Sequence, residues 1–136
     1  MELAKVCDDG WKSMTEAMDG TPYSAYSVVV RERDRCRLAM SGMSRISFSG
    51  VAKREARKAL DETMEQCQMA YTMRIAAMDT ALKILNGDTR PSQMHEFQSN
   101  SEAGQSGQLS CVAGFFAAAD KAGISMDEMG KIQERL

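Results

Sequence analysis

The sequence predicts an all-α fold: a helical bundle organised around one long central helix (about 51–86), with a small C-terminal helical pair. Three observations point there. Apolar residues recur at three- and four-residue steps along most of the chain. Residues 51–85 contain neither Gly nor Pro. The composition favours Ala, Met, Glu, Lys and Arg and includes only two prolines. At 136 residues the chain suits one domain better than two full ones, and 43% hydrophobic with 26% charged residues is enough to bury a core.

In the first helix, Leu3, Cys7, Trp11, Met14 and Met18 form an amphipathic stripe that Asp19-Gly20 closes. Thr21-Pro22 then reads as an N-cap with proline at the first helical position. The second helix carries Tyr26, Val29, Cys36, Met40 and Met43 on one face, interrupted by Arg33, with Gly42 as a stop. Val28-Val29-Val30 also permits a strand there. Residues 44–50 read as a loop. In the central helix Leu60, Met64, Cys67, Tyr71, Arg74, Met78, Ala81 and Leu85 step by alternating fours and threes, a heptad-like seam broken only by Arg74. At about 1.5 Å per residue this helix outruns the core of a compact domain of its size, so it must kink or pack on another chain.

Residues 87–108 are rich in Gly, Ser and Gln, with Met94 and Phe97 as the large apolar residues. A short helix over 91–98 followed by a flexible linker over 99–108 is the expectation, dividing the chain into an N-terminal bundle (1–98) and a C-terminal pair (109–136). In that pair Gly123 fits a C-cap, and Ser125 with Glu128 has the form of a capping box. Ala119, Gly123, Ile124, Met129 and Ile132 stand at spacings that resemble a helix-turn-helix unit over residues 115–135. In such units the first turn of the second helix meets base edges, but here it offers Asp127 and Glu128, which phosphates repel.

Chemistry is conspicuous by its absence. No Gly-x-Ser-x-Gly, Walker-type or Gly-x-Gly-x-x-Gly motif occurs, His95 stands alone in a polar stretch, and Asp61, Glu62 and Glu65 read as a solvated face. Catalysis, a cofactor and a metal site are therefore not expected. Cys7, Cys36, Cys67 and Cys111 form no Cys-x-x-Cys pair and lie in or beside apolar patterns, so reduced, partly buried thiols in a cytoplasmic protein are expected. No apolar run approaches a membrane span, and the N-terminal nine residues lack a signal-peptide core.

Two features remain for function. Eight of the twelve methionines fall on the first three helices, and the central helix is apolar over more than one side, since Met69 and Met73 fall off the seam. The expected function is thus a non-enzymatic protein–protein interaction or regulatory adaptor role. Met64, Tyr71, Met78, Met69 and Met73 would contact another protein or a second copy, giving a homodimer. The second feature is charge. The net −2 conceals a +6 segment over residues 31–58: Arg31, Arg33, Arg35, Arg37, Arg45, Lys53, Arg54, Arg57 and Lys58 against three acids. As a polyanion footprint, this segment supports an alternative, a small nucleic-acid-binding regulator. On a helix the four alternating arginines scatter and can pair with Glu32 and Asp34; on a strand they would share one face.

Overall fold

The computed structural model describes residues 2–125 and 127–128. They form four helices, α1 (Glu2–Met18), α2 (Pro22–Met43), α3 (Arg54–Leu85) and α4 (Pro91–Ala122), with no strand among the described residues. The all-α bundle is therefore the fold. Thr21 caps α2 through its Oγ1, which accepts the Ser24 amide at 3.3 Å, and Pro22 opens the helix. The valine run is helical because burial follows the helical period through Ala25, Val29, Glu32, Cys36, Ala39 and Met43.

Two differences from expectation concern α4. The stretch 99–108 is not a linker, and 91–98 is not a separate short helix: both lie inside one 32-residue helix, as long as α3. Each spans about 48 Å at 1.5 Å per residue, so the bundle has two long helices of equal length where one was expected. The supposed boundary between an N-terminal bundle and a C-terminal pair falls within α4. The physical reason is the role of the glycines. Gly104, Gly107, Cys111, Gly114 and Ala118 repeat at steps of 3, 4, 3 and 4. A Cβ on Gly107 would lie 2.7 Å from Ala70 Cβ, and one on Gly114 would lie 2.6 Å from Thr63 Oγ1. These glycines admit the small-residue face of α3 (Ala56, Ala59, Thr63, Ala70) at close range; they do not loosen the chain.

Close packing runs from α1 to α2, α2 to α3 and α3 to α4. The core has two layers. One holds Cys7, Cys36, Ala39, Met43, Cys67, Tyr71 and Cys111; the other holds Met14, Val29, Met78, Ala81 and Leu82. The cysteines are not reduced thiols. Cys7 bonds to Cys36 and Cys67 to Cys111, with Cα separations of 4.6 and 4.8 Å, and no cysteine is free. Spacings of 29 and 44 residues hide this pairing because helix packing, and not sequence proximity, brings the partners together.

α4 ends at Gly123, whose positive φ of 78° is the left-handed C-cap expected there. The capping box forms: the Ser125 amide donates to Glu128 Oε2 at 2.9 Å, and the Glu128 amide donates to Ser125 Oγ at 3.3 Å. The rest of the expected last helix, with Met129 and Ile132, lies outside the described residues. No described helix is long and apolar enough to cross a membrane.

Candidate functional site: the groove between the first and last helices

Because α1 packs on α2 and α4 packs on α3, α1 and α4 meet only marginally and leave a groove between them, floored by α3. Two side chains span it. Trp11 of α1 and Phe97 of α4 stack with centroids 6.4 Å apart at 15°. Below them Arg74 of α3, nearly fully buried, donates from one terminal nitrogen to Asp8 Oδ1 on α1 and from the other to Gln108 Oε1 on α4. Its guanidinium lies 5.6 Å from the Trp11 ring centroid and 5.7 Å from that of Tyr71. The arginine that interrupts the sequence seam is thus a strap tying α1 to α4 across α3.

Tyr71 Oη completes the cluster by donating to Asp8 Oδ2 at 3.3 Å. Burial pushes the Asp8 carboxyl above its ordinary range, against the lowering pull of the Arg74 charge and the hydrogen bonds from Tyr71 and Arg74. Burial, reinforced by the Asp8 negative charge, likewise holds the Tyr71 phenol protonated well above its usual range.

The strap divides the groove into two cavities. One, about 80 Å³, lies between Leu3, Met64, Val112 and Phe115 and ends on Asp8, Tyr71 and Gln108. The other, about 390 Å³ and more open, lies under Trp11 and Phe97 and is flanked by Ser101, Glu102 and Gln105. On its C-terminal half α4 leaves three large apolar residues uncovered: Leu109 at 69% exposure, Val112 at 39%, which also lines the smaller cavity, and Phe116 at 40%. Among the described residues no three His, Cys, Asp or Glu side chains converge as metal ligands.

The residues singled out from sequence are dispersed. Met64 and Tyr71 line the smaller cavity, and Tyr71 and Met78 are buried in the two core layers. Met69 is exposed and Met73 half-buried. Of the basic segment, Arg31 and Arg35 both pair with buried Glu32, at 2.7 and 3.1 Å. Gly10 of α1 makes room for that carboxylate, since a Cβ there would stand 3.1 Å from Glu32 Oε2. Arg33 and Arg37 both pair with Asp34 and Asp79. Arg45 donates to Ser41 Oγ at 3.5 Å, Arg57 to the Val51 carbonyl at 3.0 Å, and Lys58 sits 3.7 Å from Glu62. Lys53 and Arg54 are exposed at the start of α3. Helical scatter and internal pairing, the alternative to a single basic face, describe the α2 arginines.

No protein-family model, characterised protein or solved structure matches this chain. Sequence reasoning missed Asp8, Arg74 and Gln108 as a unit. The available signal was Arg74 itself, because an arginine on a core-facing seam demands a partner.

Proposed function

We propose that this chain is a non-enzymatic interaction protein that pairs with a second copy of itself through the uncovered flank of α4. The supporting observation is the stripe Leu109, Val112 and Phe116, spaced by three and four residues within a stretch, 103–119, that carries no charged side chain. Such a stripe meets its own copy about a two-fold axis without opposing like charges. Tyr71 and Met78 take no part in this interface, since their apolar surface is spent inside the chain.

An oxidising compartment, in place of the cytoplasm, is part of this proposal. Two buried disulfides employ every cysteine, a pattern that cytosolic thiol pools oppose. A nucleic-acid role draws little support from the basic segment, whose four α2 arginines share the three carboxylates of Glu32, Asp34 and Asp79.

Sedimentation equilibrium of the oxidised full chain tests the pairing. A dimer that dissociates on Leu109→Glu and on Phe116→Glu, with thermal unfolding of the monomers unchanged, is the expected result. A strict monomer at all concentrations overturns it, as does a dimer indifferent to both variants.

A further inference from the structure

We propose that the smaller cavity of the α1–α4 groove binds a small neutral amphiphile, an aliphatic chain of a few carbons ending in a hydroxyl or primary amide. The proposal does not rest on the self-association above: it concerns the interior of the groove, with Val112 the one stripe residue that also lines it.

Size and lining define the apolar part of the ligand. At about 80 Å³ the cavity exceeds the space of a single water and is about half of the roughly 150 Å³ that accommodates a benzene in an apolar protein interior. Scaled against benzene, that volume suits a chain of about two or three carbons. Its walls come from all four helices and the loop after α2: Leu3, Met43, Met64, Val112 and Phe115 are among them, so a chain lying there contacts carbon and sulfur on every side. The Cys67–Cys111 bond forms part of the wall and fixes the spacing of α3 and α4 at this level. Thioether side chains adapt to a flexible aliphatic guest at little cost.

The inner end defines the head group. Asp8 Oδ1 accepts from Arg74 and Asp8 Oδ2 from Tyr71, and each carboxylate oxygen retains a second lone pair. Gln108 Oε1 accepts from Arg74, which leaves its amide nitrogen as the donor of a side chain that stands where the two cavities meet. The cavity end therefore offers acceptors from Asp8 and one donor from Gln108, and it asks for a head that both donates and accepts. The charge of Asp8 is already balanced by Arg74. An added ammonium would compete with Arg74 and an added carboxylate would face Asp8, so a neutral head is selected over either ion.

Titrating the oxidised full chain with 1-propanol, propylamine and propanoate, read by two-dimensional NMR, tests this. Saturable shifts confined to Ala4, Met64, Val112, Phe115 and Gln108 are expected with 1-propanol, with propylamine and propanoate at least tenfold weaker. Gln108→Leu removes the donor and is expected to weaken 1-propanol about tenfold. Met64→Trp, in the cavity wall and outside the α4 stripe, is expected to fill the space and abolish binding without disturbing the bundle, and it decides the matter should Gln108→Leu fail to fold. Equal response to all three probes overturns the proposal, because it marks non-specific partition. So do shifts that never saturate, and so does 1-propanol binding that survives Met64→Trp.

Discussion

Replacing Gly107 by alanine puts one methyl group where α3 and α4 come closest. The new Cβ would stand 2.7 Å from Ala70 Cβ and 3.1 Å from Ala70 Cα. Carbon atoms in contact prefer about 3.5–4.0 Å, so the helices must part locally by about 1 Å. On an unencumbered helix the same substitution stabilises by about 0.5–1 kcal/mol, because alanine loses less backbone entropy. Overpacking of a tight contact costs about 1–3 kcal/mol. Relaxation is restricted here, since the Cys67–Cys111 bond sits one turn further along α4 and pins the two helices together. The net expectation is a loss of about 1–2 kcal/mol, opposite in sign to the helix-propensity effect. Urea denaturation of the oxidised protein measures it, with exposed Ser110→Ala on the same helix as a control that should move stability by less than about 0.5 kcal/mol. Gly107→Ala as stable as the wild type, or more so, would refute the close-packing argument and favour the reading of 99–108 as a loose tether.

Intact mass before and after reduction should differ by four hydrogens; an unchanged mass rules out the two disulfides. Replacing Cys67 and Cys111 by alanine releases a 44-residue loop and should cost about 4 kcal/mol, slightly more than opening the 29-residue loop of Cys7 and Cys36. Asp8 makes the stability depend on pH. Its folded pKa is raised from the ordinary 3.8, so its contribution is most favourable below that value, falls as pH rises through the folded pKa and is flat above it. The wild type minus Asp8→Asn difference in stability, followed from pH 3 to 7, should show this fall, and a rise would contradict it.

The first half of the fold was legible because its signals are local. The stripe from Leu3 to Met18, the Thr21-Pro22 cap and the unbroken run into Leu85 each report on residues within a few turns. The second half was not, because glycine has two opposite meanings. In a polar stretch it loosens a chain, yet at heptad spacing it lets a second helix approach, and only the presence of Ala70 and Thr63 across the contact decides between them. The disulfides were hidden for a related reason, since four cysteines on four helices carry no record of which helices adjoin. The groove was hidden too: it is the gap left where α1 and α4 fail to pack, a property of the tertiary arrangement.

The placement of the two disulfides has a mechanical consequence. One locks α1 to α2 and the other α3 to α4, so the chain is two covalently closed clasps joined by the single strand of residues 44–53. Separation is covalently free only between the clasps; it breaks the α2–α3 packing together with the Arg74 contacts, with residues 44–53 as the spine. Two copies opened this way can trade clasps and close again with every sulfur still bonded within its own chain. A dimer formed by such an exchange would run as a single chain on a denaturing gel whether or not reductant is present, and only a native measurement of mass would see it.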